Sequence, residues 1–327
     1  MRAFRYESLP GRVVFGEGSA ETVAEEISGQ RVLVLATPRG LPLARRIAEP
    51  LGDRVVGEFT EVREHVPVAV ALHARSRARE LRADCLLAVG GGSTVGTAKA
   101  ISLELRLPIV AVPTTYAGSE MTPVWGMTSS EGKQTGRSLD VLPSVVIYDP
   151  ALTASLPRAL TVTSAMNAMA HSVEGVYAAG ANPISSLMAA ESVRALAAGL
   201  ADSSAESLLY GAYLAGAVFA VTGSGLHHKI CHVLGGAYDL PHAATHSVVL
   251  PHVAEYMDGP ALAPIAAALN ASTAASGLRE LAHRVDAPTS LASLGFPPAK
   301  LAEAAALVAA QSPVPEPDIH ALLAAAL

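Results

Sequence analysis

Cys85-Leu-Leu-Ala-Val89 runs without a break into Gly90-Gly91-Gly92-Ser93-Thr94, and Val95–Leu105 then carries a helical pattern. Few arrangements accept that order. A short continuous apolar run reads as a strand buried on both faces, as in a parallel sheet. Glycines at its end let the backbone turn sharply and come close to a ligand. The helix that follows offers unpaired N–H groups and the positive end of its dipole. The spacing is GGGS with Gly96 further on, not the GxGxxG fingerprint, so the phosphate-site reading rests on the strand–glycine–helix context. The plainer alternative is a tight turn that needs flexible residues.

The same kind of run recurs. Arg12–Phe15, Arg31–Ala36, Arg54–Phe59, Pro108–Val112 and Ser144–Tyr148 read as further strands, with helical stretches after Gly40 and from Pro67 to Leu81. Strands alternating with helices predict a doubly wound parallel sheet. The pattern stops at Asp149-Pro150. Beyond it Ala, Leu, Ser and Glu dominate, in helical blocks near 162–179, 183–200, 203–221, 227–236, 260–275, 278–286 and 298–311, separated by Pro and Gly. The expectation is an α/β Rossmann-like domain over residues 1–150 followed by an all-helical, catalytic domain over residues 151–327.

Ligands of open α/β sheets sit at the carboxyl ends of the strands. A second polar loop, Pro113-Thr114-Thr115-Tyr116-Ala117-Gly118-Ser119-Glu120, lies at such an end. Gly90, Gly91, Gly92, Ser93, Thr94, Thr114, Thr115 and Ser119 are therefore candidate cofactor-binding residues, although Thr114 and Thr115 would equally cap their own turn. The loop after Arg31–Ala36 is Thr37-Pro38-Arg39-Gly40. It lacks the carboxylate that meets the adenosine ribose of NAD. Thr37 and Arg39 there suit NADP alongside NAD, with a solvated loop arginine as the alternative.

Composition narrows the function. A net charge of -6 argues against the basic stripe of a nucleic-acid surface and requires a local positive patch for any anionic substrate. Half hydrophobic and 16% charged, the chain suits a compact globular enzyme. Two cysteines, Cys85 and Cys231, imply no disulfide framework, so a reducing cytoplasm is the default. The amino terminus lacks an apolar signal region, and Ala261–Ala275 is too short and too broken to span a membrane.

Of 11 histidines, six fall between His227 and His252. His228 and His232 are four apart and share a helical face, as do Asn167 and His171 on a helix that also carries Glu174. His242 follows Pro241 and reads as a loop residue. Two helical pairs and one loop histidine suffice to surround a small ligand or metal. His65, His73, His283 and His320 read as ordinary core or boundary residues. His227 reads as a loop-lining residue, and His246 and His252 as residues that orient the others.

The GGGS run with Ala98-Lys99-Ala100, the PTTYAGSE loop, Asn167-Ala-Met-Ala-His171 and the HHKICH…LPHAATHSVVLPH block resemble the iron-type (group III) alcohol dehydrogenase superfamily over essentially the whole chain. That resemblance implies a dehydroquinate synthase-like fold, NAD(P) on the first domain, and a divalent metal, Fe or Zn, held on the second by one Asp and three His. The corresponding positions are Asn167, His171, His228 and His242, so the Asp has become an amide. An amide oxygen is a poorer ligand than a carboxylate and removes one compensating charge. Gly96 stands where many members carry an acid. Both departures look like the maleylacetate reductase branch, whose members reduce the C=C bond of maleylacetate to give 3-oxoadipate in aromatic-compound degradation.

The resemblance thus implies NADH or NADPH as cofactor, a metal that is not required, and a small dicarboxylate substrate. It also implies a homodimer, while charge, hydropathy and cysteine usage lead to the expectation of a cytoplasmic protein with neither nucleic acid nor membrane as partner. His228 and His242 would donate to an enolate oxygen, Asn167 and His171 would orient them, and His232 would deliver a proton. Tyr116, Lys133, Arg137 and Lys229 would bind substrate, with Lys133 and Arg137 in the polar turn Gly132–Arg137. Alternative readings are a metal-dependent alcohol or aldehyde dehydrogenase, a biosynthetic reductase of another enone or ketone, and a non-catalytic nucleotide-binding protein.

Overall fold

The computed structural model describes Phe4, residues 6–129 and residues 132–327. The chain divides into two compact units, Leu9–Ser155 and Leu156–Leu327, the latter with the described residues ahead of Leu9.

The first unit contains the strands β1 (Arg12–Phe15), β2 (Val32–Leu35), β3 (Val55–Phe59), β4 (Cys85–Gly90), β5 (Ile109–Pro113), β6 (Val124–Ser129), β7 (Gly132–Arg137) and β8 (Val145–Tyr148). Its helices are α1 (Val23–Glu26), α2 (Leu41–Ala48), α3 (Val68–Glu80) and α4 (Gly92–Leu105). Six strands form a parallel sheet in the order β1-β8-β5-β4-β2-β3. In β2, Val32 and Val34 pack with Ala44 and Ile47 of α2. Leu33 and Leu35 pack on the opposite face with Ala74 of α3 and Ile101 of α4. Burial on both faces is why these strands read as continuous apolar runs instead of alternating.

From β2 the sheet grows outward to β3, and from β4 it grows the other way to β5 and β8. This reversal sets the carboxyl ends of β2 and β4 side by side, with Leu35 opposite Ala88. Ligand crevices of open α/β sheets form at such a switch point.

One element departs from expectation. Gly132–Arg137 is the second strand of an antiparallel hairpin with β6, not a polar turn. Its sequence, GKQTGR, has little of the β-branched or aromatic character of a strand. A cross-strand contact supplies what propensity lacks. Trp125 covers Gly136 so closely that a Cβ there would lie 2.6 Å from the indole ring.

The second unit contains the helices α5 (Arg158–Gly175), α6 (Pro183–Asp202), α7 (Ala205–Thr222), α8 (Leu226–Tyr238), α9 (His242–Tyr256), α10 (Ala263–Ala268), α11 (Ala274–Arg284), α12 (Leu301–Ala309) and α13 (Glu316–Ala325). The block 260–275 is not one helix, because Asn270 takes a left-handed φ of 52° and breaks it. Nor is His242 a loop residue, since it opens α9, a helix with Pro251 in its interior. An interior proline normally ends a helix, which hides α9 from a reading of sequence alone.

Small residues bring α5, α6 and α7 together. Ser172 donates to Ser192 Oγ at 2.8 Å, and Ser192 donates to the Gly211 carbonyl at 2.8 Å. Helices α6 and α7 are long and apolar enough to cross a membrane by length and composition, but 44% and 56% of their apolar windows are buried inside the protein. Helix α6 opens on a capping box. Asn182 Oδ1 accepts from the N–H groups of Ile184 and Ser185, and Ser185 Oγ accepts from Asn182 N–H. Asn182→Ala should cost about 1 kcal/mol and lower Tm by roughly 2–4 °C. Calorimetry checks this, and an unchanged Tm would mean that the cap adds nothing.

Candidate active site

Two polar loops meet at the carboxyl end of β4. Gly90 has a φ of +153°, and a Cβ on it would lie 2.4 Å from Thr94 Oγ1. At Gly91 a Cβ would lie 2.9 Å from Thr115 Oγ1. Only glycine permits this contact between the loop after β4 and the loop after β5. The two are also joined by a hydrogen bond from Thr114 N–H to the Gly90 carbonyl, at 3.2 Å.

Beside the start of α4, the hydroxyls of Thr94 and Ser119 are buried and have no hydrogen-bond partner. A buried polar group left unsatisfied costs about 1–3 kcal/mol. A ligand that brings acceptors to the amino terminus of α4 removes that cost, and the phosphates of a dinucleotide have the required chemistry. Ser93 lies in the first turn of α4, where its carbonyl accepts from Thr97 Oγ1 at 2.9 Å.

Other positions separate from this group. Thr37 Oγ1 accepts from Gly40 N–H at 3.1 Å, so Thr37 holds its own turn, in which Arg39 is exposed. Tyr116 is 1% exposed with Thr153 beside its hydroxyl. The ring is packed in the core of its unit. Arg137 is exposed on β7, and the Lys133 side chain lies outside the described residues.

In the helical unit, α5 supplies Asn167, His171 and Glu174, α8 supplies His227, His228 and His232, and α9 supplies His242 and His246. The His171 and His228 rings stack with centroids 5.0 Å apart, and each lies 4.7 Å from Phe219. His246 is 4.9 Å from His228 and 4.5 Å from His242. His232 is 6.1 Å from His228 and 6.3 Å from His242. The four expected histidines are thus one cluster. His171 and His228 are buried, whereas His232 and His242 are exposed, and Lys229 is half-buried on α8 beside His228. Asn167 Oδ1, His171 Nδ1 and His228 Nε2 are buried without a partner.

Glu174 organises this cluster, a role that the sequence reading did not give it. It is completely buried. One carboxylate oxygen pairs with His228 Nδ1, and the other accepts from the backbone N–H of His227 at 2.8 Å. It therefore caps α8, whose N-cap is Gly225, and leaves Nε2 as the unpaired nitrogen of His228. Burial pushes the Glu174 carboxyl up, but His228, by charge and by hydrogen bond, and then His227 bring it down to about 2. The legible signal was its spacing: Glu174 follows His171 by three residues and so shares its helical face.

Burial, reinforced by neighbouring histidines, holds His171 and His246 well below the usual imidazole range, and His227 at about 3. His227, Cys231 and His246 place ligand-type atoms within 4.8 Å of one another. His227 Nε2 and His246 Nδ1 are 2.8 Å apart, which is a hydrogen bond. Two ligand atoms on one tetrahedral ion would stand about 3.3 Å apart.

Residues 10–150 match the family model for iron-containing alcohol dehydrogenase, and residues 161–322 match the C-terminal model of the Fe-containing alcohol dehydrogenase family. The chain belongs to the iron-containing alcohol dehydrogenase family. A curated relative from Sphingobium indicum, named maleylacetate reductase, is 51% identical over 328 residues, 96% of this chain and 93% of its own. The crystal structure of maleylacetate reductase from Agrobacterium tumefaciens has a TM-score of 0.95 at 43% identity, covering 100% of this chain and 99% of that one. A putative alcohol dehydrogenase from Ralstonia eutropha has a TM-score of 0.96 at 48% identity, covering 100% and 98%.

Removing the Glu174 charge should expose its structural share. Glu174→Gln is expected to lower stability by about 3 kcal/mol or more in urea unfolding. Glu191→Gln, which breaks an exposed pair with Arg194, should stay within about 0.5 kcal/mol. Equal effects from the two variants would remove Glu174 from its organising role.

Proposed function

We propose that this chain is an NAD(P)H-dependent maleylacetate reductase, acting on the C=C bond of maleylacetate to give 3-oxoadipate. The observation that carries the reading is the full-length likeness to enzymes of that name, joined to a histidine cluster in which Asn167 stands where the family metal site has a carboxylate. When bound, the reduced nicotinamide supplies the hydride. Gly90, Gly91, Gly92, Ser93, Thr94, Thr114, Thr115 and Ser119 would hold its phosphates, and Thr37 and Arg39 would stand at the adenosine end.

The alkene of the substrate is conjugated to a ketone. Addition of hydride at the carbon β to that ketone drives an electron pair onto the ketone oxygen. The resulting enolate needs donors. His228 presents Nε2, with Glu174 behind Nδ1 to stabilise the charge that the ring carries when both nitrogens are protonated. His242 supplies the second donor, while His171 and Asn167 hold the pocket side in place. Collapse of the enolate then takes a proton at the α carbon. His232 is exposed at the edge of the cluster and is the proposed donor for that step. Lys229, half-buried on α8 beside His228, is the proposed partner of a substrate carboxylate.

The same three unsatisfied atoms that favour a polar substrate also suit a divalent ion. Three imidazoles alone hold zinc in some enzymes. Such an ion would sit on Asn167, His171, His228 and His242 and polarise the ketone oxygen. This keeps a metal-dependent alcohol dehydrogenase as the second reading. Our reading is that turnover does not require the metal.

After exhaustive chelation and metal analysis, NADH or NADPH oxidation with maleylacetate should persist. Loss of that activity, with recovery on adding Fe or Zn, would favour the second reading, as would faster turnover of small aldehydes. His242→Ala should cut kcat by on the order of 10²–10³, the usual loss for an oxyanion donor. Near-normal kcat would take His242 out of the mechanism.

A further inference from the structure

Lys99 has no solvent to satisfy it. It is 2% exposed, and its three Nζ–H groups are shared among four acceptors, the carbonyls of Ser119 (2.6 Å), Thr122 (2.7 Å) and Val124 (2.9 Å) and Thr122 Oγ1 (2.9 Å). Lys99 belongs to α4, whose amino terminus faces the glycine loop. All four acceptors belong to the segment that follows β5. Converging carbonyls require a donor with N–H groups splayed tetrahedrally, which an ammonium has and a planar guanidinium lacks.

The Ser119 carbonyl is held from three sides. Besides Lys99, it accepts from Thr122 N–H at 3.1 Å and from Thr122 Oγ1 at 3.0 Å. Gly118 just before it takes a φ of +74°, which lets the chain turn there. With its backbone fixed, Ser119 carries its buried, unpartnered hydroxyl to the start of α4, 3.8 Å from where a Cβ on Gly92 would be. Glu120 is buried alongside and accepts from the Tyr148 hydroxyl at 2.8 Å.

We propose that Lys99 is a positioning residue for the dinucleotide. It draws the Ser119–Val124 segment onto α4, so that the helix terminus and the Ser119 hydroxyl address one phosphate group together. This rests on the nucleotide-binding reading given above.

The test is the Kd for NADH, by fluorescence titration of the purified full chain, beside thermal melting. Lys99→Met keeps an unbranched side chain as far as Cε and removes the Nζ with every N–H. Its Kd is expected to rise tenfold or more. In Lys99→Met/Glu120→Gln the leftover acid is neutralised, so Tm should recover while Kd stays high. Ser119→Ala should raise Kd by itself, and Lys99→Met/Ser119→Ala should bind no worse than Lys99→Met, because both changes remove one contribution.

Should Lys99→Met fail to fold, Thr122→Val removes one acceptor without stranding the carboxylate. It should raise Kd about threefold and again be non-additive with Ser119→Ala. A folded Lys99→Met with Kd within twofold of the parent overturns the inference, as do effects that simply multiply. A parent chain that binds neither NADH nor NADPH overturns the nucleotide reading, and this inference with it.

Discussion

One buried carboxylate carries the helical unit's chemistry. Glu174 is completely enclosed, and it stays ionised because the groups around it repay its desolvation: an imidazole N–H from His228 and the backbone N–H of His227. Burying a charge is tolerable only when it is paired and hydrogen-bonded in this way. The same bonds fix where α8 starts and which face of the His228 ring is left for a ligand. Without Glu174, α8 would begin at Gly225 with no side-chain cap, and neither the position nor the orientation of His228 would be set.

That arrangement gives Asn167 its meaning. An acid at this position would place a second negative charge on the same face of α5 as Glu174. With an amide there, Glu174 faces His228 from behind, and the pocket side presents an amide oxygen and imidazole nitrogens that lack partners. A pocket of that kind donates to a developing enolate or holds a weakly bound ion.

The nucleotide side follows a different logic. Its geometry is made by backbone, through the contact of Gly90 and Gly91 with Thr94 and Thr115, and the sheet places that contact at its switch point. Ligand recognition there needs little from side-chain charge, because α4 and its unpaired N–H groups provide the positive potential. What side chains add is precision, through Ser119 and the lysine beneath it.

The apolar runs at β2, β4, β5 and β8, the glycines after β4 and the i,i+4 pairs on α5 and α8 were all readable from the chain, because each is a local pattern with one physical cause: two-sided burial, close approach, or a shared helical face. The hairpin strand Gly132–Arg137, the helix through Pro251 and the burial of Tyr116 were not. For the helix through Pro251 and for Tyr116, packing against a distant segment outweighs local pattern; in the hairpin, the cross-strand cover of Gly136 by Trp125 does. The sequence by itself determined which residues are candidates for the chemistry, and through Asn167 that their charge differs from a metal shell of the usual kind. Only the tertiary structure decided that Glu174 stands behind His228 and that Lys99 reaches Ser119. Both contacts join segments 54 and 20 residues apart, and no periodicity encodes where a buried charge will find its partner.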